Sequence, residues 1–292
     1  MPRWTIDSPR TLDLPDLAAL RVRVISGSVA ILASQDPPTL DVASLSGQPL
    51  LVTHEAGILT VTYEDLQPGG LRGWLRPQRH SADVTITVPA GCPTQVSVIN
   101  ASTIVSGISA NISAKSVSGD ITLDGVTGNV DAKTVSGNVE ARGINGDLKF
   151  NSVSGDLTLA ASAIGRLFAR TLSGQVTADL DVPGGSGTRV STVSGDVSVR
   201  VPTSVSARVG LRSTSGRLRS NFEPLSPAPA PGRAVLSATL GSGSAEISLT
   251  SMTGDVTLLA RADDPPSGSP ESGERTVKAS PTSAPTGQGE QA

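Results

Sequence analysis

The sequence predicts an all-β fold, a two-sided β-solenoid of about 18 residues per coil. Three observations carry this. Residues 107–179 divide into eight nine-residue segments, GISANISAK, SVSGDITLD, GVTGNVDAK, TVSGNVEAR, GINGDLKFN, SVSGDLTLA, SAIGRLFAR and TLSGQVTAD, with one extra residue, Ala161, before the seventh. Segments that open with Gly alternate with segments that open with Ser or Thr, so the true period is eighteen. Aromatic residues make up only 2% of the chain while 31 glycines recur periodically, which suits stacked aliphatic ladders with glycine at their corners.

Ahead of the array, residues 1–95 lack the nine-residue rhythm but alternate as strands do. Residues 21–25 lead through Ser26-Gly27 to residues 29–32, which reads as a hairpin around a Ser-Gly turn. Residues 40–43, 50–53, 58–63 and 84–88 are further strands, and His54-Glu55-Ala56-Gly57 is a turn between two of them. Residues 12–20 come closest to an amphipathic helix, and Pro15 interrupts them. Residues 64–80 form a longer excursion. Residues 96–98 and 103–105 lead into the array.

Within a segment, positions 6 and 8 share one side of a strand. Position 2 is expected to point inward again, and Gly at position 4 to turn the corner, either through a positive φ or through close contact with the neighbouring coil. Val117, Val135, Val153 and Leu172 then form one inward ladder, and Ile121, Val139, Leu157 and Val176 a second. After Asp179 the period breaks at 181–190, resumes at 192–200, breaks at 201–211 and resumes at 213–221. A Pro/Ala stretch at 223–232 precedes two last segments, 242–250 and 251–259. The expected organisation is therefore an N-terminal strand region, 1–95, that continues or caps the solenoid. The solenoid repeats occupy 96–260, and 261–292 form a disordered tail rich in Pro, Ser and Gly.

Chemistry is sparse. A net charge of −3 offers nucleic acid no sequence-wide attraction. Cys92 is the only cysteine, which excludes a disulfide framework and a thiolate metal site. The proline- and acid-containing N-terminus lacks a signal peptide's apolar run, and no stretch reaches the length of a transmembrane segment, so the expected location is cytoplasmic. Calcium-binding nonapeptides carry an Asp ligand where this repeat holds Ile121, Val139 and Leu157. The Asp or Asn one residue earlier reads instead as a corner cap bonding local amides, so neither metal nor cofactor is expected. Asp131 and Glu140 belong to opposite faces of one coil and cannot act as an acid–base pair, while Lys115 and Lys133 stand near Asp131. His54 and His80 fall in loops without a catalytic spacing, and no catalytic residue is assigned. The binding candidates are Arg72, Trp74, Arg76 and Arg79 of the excursion, since interface hot spots favour Trp and Arg.

The opening WTIDSPRTLDL, the pair RVRVISGSVAI, the phrase VTITVPAGCPTQVSV and the SVSGD, TVSGN and SVSGD segments together resemble a bacterial family common in actinobacteria. It is the candidate-adhesin, domain-of-unknown-function family of β-strand repeats called toastrack domains, and the resemblance spans residues 4–260. It implies a right-handed β-solenoid without catalytic residues. Relatives in membrane-anchored envelope-stress proteins imply a scaffold or sensor role. The expectation is a non-enzymatic scaffold or protein-interaction module with an unidentified protein partner. The alternative is a self-assembling solenoid, or an adhesin binding a surface or glycan. Both ends of a solenoid expose strand edges, but the loops at 181–190 and 223–232 and the tail block one end and favour a monomer.

Overall fold

In the computed structural model the described residues are 2–63, 80–225 and 234–262. They form an all-β structure of twenty-two strands, with one short 3-10 turn at Glu223–Leu225. Strands β1 (Arg3–Ile6), β2 (Arg10–Asp13), β3 (Ala19–Ala33), β4 (Thr39–Ser46), β5 (Leu50–Glu55), β6 (Ile58–Tyr63) and β7 (Ser81–Val88) come first. The array holds β8 (Thr94–Ser106), β9 (Ile112–Ser116), β10 (Ile121–Asp124), β11 (Val130–Thr134), β12 (Val139–Arg142), β13 (Asn145–Asn151), β14 (Leu157–Arg170) and β15 (Val176–Asp181). There follow β16 (Gly187–Thr192), β17 (Val197–Pro202), β18 (Ala207–Ser213), β19 (Leu218–Ser220), β20 (Ala234–Leu240), β21 (Ala245–Ser251) and β22 (Val256–Arg261).

Pairing in the array is parallel and steps by one repeat, with Val130 beside Leu148 and Ile121 beside Val139. Two stacks result. The first runs β1, β5, β6, the start of β3, the start of β8, β9, β11, β13, the end of β14, β16, β21, β18 and β20. The second runs β2, β4, β7, the rest of β3, the rest of β8, β10, β12, the start of β14, β15, β17, β22 and β19. Each chain passage through both stacks is one coil. The expected ladder of Ile121, Val139, Leu157 and Val176 is buried between them and is continued by Val197 and Val256.

The corners explain the repeat. At a Ser- or Thr-led corner the strand alternation simply continues, so the hydroxyl residue at position 1 points inward. Ser116, Thr134, Thr171, Thr192, Ser213 and Ser251 are all buried. These hydroxyls are satisfied locally: Ser152 Oγ accepts the Gly155 N–H at 2.7 Å, and Thr171 Oγ1 accepts the Gly174 N–H at 3.0 Å. The glycine is required by close approach. A Cβ on Gly155 would lie 2.0 Å from the Gly137 carbonyl oxygen, and one on Gly174 would lie 2.1 Å from that of Gly155.

Position 2 of these segments therefore points outward, which corrects the first expected ladder. Val117, Val135, Val153 and Leu172 are 46%, 46%, 47% and 51% exposed. Hydrogen bonds between successive corners extend the stripe to Ile99, Val117, Val135, Val153, Leu172, Val193 and Met252, one per coil on seven coils. At Gly-led corners the expectation holds. Gly107, Gly125 and Gly143 adopt φ of 74°, 59° and 63°, which resets the alternation and turns Ile108, Val126 and Ile144 inward.

Two further features depart from the expectations. The expected hairpin at 21–32 is instead the single strand β3, bent at Gly27 (φ 106°) and shared between both stacks, with β8 parallel to it along nearly its whole length. Segments 96–98 and 103–105 merge in β8 for the same reason. The turn expected at His54-Glu55-Ala56-Gly57 narrows to Ala56 and Gly57, both at positive φ, because His54 and Glu55 still pair with Leu59 and Ile58 at the end of β5. The last coil, β21 and β22, does not follow its predecessor in space. It inserts between β16/β17 and β18/β19, so the chain leaves one level empty and fills it later. Like ladders make this permissible, because any coil presents the same inward residues to its neighbours.

Candidate functional site

Register turns equivalent residues into rows across the outside of the first stack. One row reads Arg21, Gln95, Ser113, Asp131, Lys149, Phe168 and Arg189. The next, two residues further along each strand, reads Arg23, Ser97, Lys115, Lys133, Asn151 and Arg170. At the strand starts the surface is concave, and a groove of about 660 Å³ crosses β3, β8, β9, β11, β13 and β14. Pro93 and the half-buried Phe168 are its larger accessible apolar residues, Leu20, Ile112, Val130 and Leu148 lie beneath it in the core, and Arg21, Asp131, Asp147, Lys149 and Arg166 bring charge.

These charges are partly engaged. Arg166 pairs with Asp147 at 2.6 Å, and Lys133 with Asp131 at 3.0 Å. The expected neighbourhood of Asp131 is thus occupied by Lys133. Asp131 Oδ1 is buried and has no hydrogen-bond partner among the described residues. Phe168 closes one end of the groove, with the Arg170 guanidinium 5.3 Å from its ring centroid. Beyond it lies a smaller hollow of about 210 Å³, flanked by the Arg189–Glu246 pair at 3.5 Å. On the second stack one outer row, Thr122, Glu140, Thr158, Thr177, Ser198 and Thr257, is nearly uncharged before Arg219, while the next carries Asp124, Arg142, Asp179 and Arg200.

The Asp/Asn column weighed for calcium is an acceptor ladder. Asp120 Oδ1 accepts the Asn138 N–H at 2.8 Å, Asn138 Oδ1 the Asp156 N–H at 3.0 Å, and Asp156 Oδ1 the Gln175 N–H at 2.7 Å. The side chains therefore tie neighbouring coils together and do not cap their own corner, as the sequence reading had them do. Among the described residues no three His, Cys, Asp or Glu side chains gather as a metal site requires. Asp131 and Glu140 stand on β11 and β12, in different stacks.

His80, expected in a loop, is buried just before β7. Its Nδ1 accepts the Gln48 N–H at 2.9 Å, and its ring centroid lies 5.3 Å from that of Tyr63. Burial, aided by the Asp83 charge, pushes the Tyr63 phenol up to about 12. Burial also pushes the Cys92 thiol up to about 11, which keeps it protonated and poorly nucleophilic at neutral pH. His54, also expected in a loop, is half-buried near the end of β5, with Nε2 3.2 Å from the Asp16 carbonyl oxygen. Arg72, Trp74, Arg76 and Arg79 lie outside the described residues. Sequence reasoning missed the groove. Its only written signal is the column at position 7 of the Gly-led segments, where Ser113, Asp131 and Lys149 stand.

No curated protein matches the chain. Among solved structures, a candidate lipid binding protein from Parabacteroides distasonis ATCC 8503 is 13% identical, with 87% of this chain and 98% of that chain covered and a TM-score of 0.45. A candidate adhesin from Bacteroides fragilis NCTC 9343 is 12% identical, with 89% and 97% covered and a TM-score of 0.35. A candidate cell adhesion protein from Clostridium sporogenes ATCC 15579 is 11% identical, with 87% and 100% covered and a TM-score of 0.21. The family model of the Toastrack DUF4097 domain matches residues 39–259, and with most of its length so matched the chain belongs to the Toastrack DUF4097 family.

Proposed function

We propose that this chain is a non-enzymatic protein-interaction module, a right-handed β-solenoid that serves as a scaffold in envelope-stress signalling. The observation that supports the reading is the groove across six strands of the first stack. Pro93 and Phe168 offer a partner apolar contact, while Arg21, Asp131 and Lys149 orient polar groups along the row. A groove held by a hydrogen-bonded stack is already in its binding shape, so association loses little to ordering.

The test is site-specific cross-linking in cells under antibiotic stress. A photoreactive residue replaces Ser113 in the groove row or, as control, Thr158 on the second stack. A reproducible adduct from position 113 that is missing from position 158 is the expected result. Equal adducts from both, or none from either, would remove the groove as the interaction site.

A further inference from the structure

We infer that the chain docks on the surface of an anionic lipid bilayer, with its aliphatic stripe, Ile99 to Met252, among the headgroups and the basic row beside the stripe against the lipid phosphates. The inference goes beyond the groove reading, since the groove lies at the starts of the first-stack strands and the stripe just past their ends.

A net charge of −3 conceals where the fold gathers its cations. The row that begins at Arg23 continues past Arg170 through Ser191 and Thr250 to Arg212. It carries Arg23, Lys115, Lys133, Arg170 and Arg212 and no acid, over nine strands and about 38 Å. Of these five, only Lys133 makes an ion pair among the described residues. The row next to it adds Arg21, Lys149 and Arg189 against a single acid, Asp131.

The stripe runs alongside the basic row. Lys115, Lys133 and Arg170 stand two residues before Val117, Val135 and Leu172, with only an inward Ser or Thr between. Seven aliphatic residues in line, at about 4.8 Å per coil, make a ridge of about 29 Å. The fold does not need them. Thr214 takes the stripe's place beside Met252, yet Gly216 still donates its N–H to Ser213 Oγ at 2.8 Å. A contiguous exposed line of that length marks a contact surface, whereas single exposed aliphatics do not.

Three features select a bilayer as the occupant. The ridge is straight and convex, so a plane meets all of it at once, whereas a protein would need a matching trough. The polar groups of the corner are already bonded within the stack. Successive corners are joined by backbone hydrogen bonds, and the Ser136, Ser154 and Ser194 hydroxyls donate to the Val117, Val135 and Leu172 carbonyls at 3.3 Å each. Apolar surroundings therefore leave few unpaired groups to desolvate. Cations and aliphatics also share one strip, and interfacial binding adds the two, apolar burial and attraction to anionic lipid. A nucleic acid would use the cations and leave the stripe in water. Across the corner, Asp120, Asp156 and Asp196 follow the stripe by three residues and repel an anionic leaflet. They set the tilt: the first-stack side of the corner turns to the lipid and the second-stack side away.

The experiment is co-sedimentation of the full chain with phosphatidylcholine vesicles, with and without phosphatidylglycerol, at low and high salt. Wild type should bind only the vesicles that hold phosphatidylglycerol, and should release as salt rises. Lys115→Gln with Arg170→Gln should weaken binding at least about tenfold, at about fivefold per basic residue. Leu172→Ser with Met252→Ser leaves the charge unchanged and should also cost at least about tenfold, because less apolar surface leaves water. Ile99→Ser with Val135→Ser replaces that pair if its urea midpoint falls below wild type. Asp120→Asn with Asp156→Asn keeps the acceptors, as Asn138 does, and should bind as tightly as wild type or tighter. A wild type that ignores phosphatidylglycerol overturns the inference. So do stripe variants that bind like wild type while duplex DNA is held equally well, since the row would then be a general polyanion site. Weaker binding by the Asn pair, or a stripe that drives self-association without vesicle binding, overturns it as well. Adducts from position 113 are read separately, so the groove reading can fail while this one holds, and the reverse.

Discussion

Replacing Gly155 with alanine should pry the coils apart at the middle of the array. The added Cβ would sit 2.0 Å from the Gly137 carbonyl oxygen and 2.9 Å from its carbon, far inside van der Waals contact. Both obstacles are backbone, so the coils must separate. Hydrogen bonds on either side oppose this: Ser154 N–H to Val135 O at 2.8 Å, Asp156 N–H to Asn138 Oδ1 at 3.0 Å, and Val139 N–H to Asp156 O at 2.9 Å. Weakening these bonds costs about 1 kcal/mol each, and the overpacking itself adds about 1–3 kcal/mol. The expected loss is about 4–6 kcal/mol. Two glycines supply controls. Gly125 has open space around its would-be Cβ but a φ of 59°, so alanine there costs about 1–2 kcal/mol from backbone strain alone. Gly91 has open space and an ordinary φ, so alanine there should stay within about 0.5 kcal/mol of wild type. Urea unfolding midpoints at unchanged m-value rank the three. If Gly155→Ala loses no more than Gly125→Ala, the corner glycines serve backbone angle and not close approach, and the account of the repeat is wrong.

Other perturbations separate the parts of the coil. Val139→Asp buries an unpaired charge in the inner ladder and should cost several kcal/mol, whereas Val135→Asp on the exposed stripe should cost within about 0.5 kcal/mol in dilute urea titrations. Equal losses would restore the inward placement of position 2. Ala161, the extra residue of the array, sits at φ 47°, so Ala161→Gly should raise the unfolding free energy by about 0.5–1 kcal/mol, read as a higher urea midpoint, in spite of a more flexible unfolded chain. The Ser44 hydroxyl, then that of Ser28, hold the Asp83 carboxyl below the ordinary aspartate range, against a weaker upward push from burial. A depressed folded value means stability that is present above the unfolded value and lost as pH falls through the folded one. Asp83→Asn should therefore lower the thermal midpoint at neutral pH and lose that deficit in strong acid. A deficit that persists unchanged at low pH would show that the carboxylate's charge is not what Ser44 and Ser28 stabilise.

Much of the fold was legible because the repeat states its own packing. Ile121, Val139, Leu157 and Val176 share a position whose neighbours are polar, and strand alternation then allows only one side to be inside. The same reasoning failed at Val117 and its equivalents, since it took apolar character as proof of burial. The residue that decides the phase is the one before. Ser116 and Thr134 can go inside because their hydroxyls find partners there, Ser116 donating to the Gly119 carbonyl and Thr134 to the Ser152 hydroxyl, while Ser152 and Thr171 accept a glycine N–H three residues on. Gly125 and Gly143 turn φ positive and reverse the phase. Both rules were on the page as the alternating openings, but only hydrogen bonding tells them apart. The order of the last coils was not legible at all. Identical ladders carry no address, so nothing in residues 245–261 says that they belong beside 187–202 and not beyond 207–220.

The groove was illegible for a related reason. Ser113, Asp131 and Lys149 look like ordinary solvated residues in sequence, and they become a row only when the register places them side by side. The exposed stripe supplies the opposite case. Its residues look like core in sequence, yet Thr214 shows that the corner forms without an aliphatic side chain there. A repeat must keep whatever each coil needs in order to stack. Ser or Thr at position 1, Gly at position 4 and the aliphatic at position 6 answer to that need. An aliphatic at position 2 of the same segments does not, and its placement in water costs solubility while adding nothing inside. The residues that stacking leaves unexplained are thus the ones to mutate for function. The stripe and the groove rim qualify on that ground, before any ligand is known.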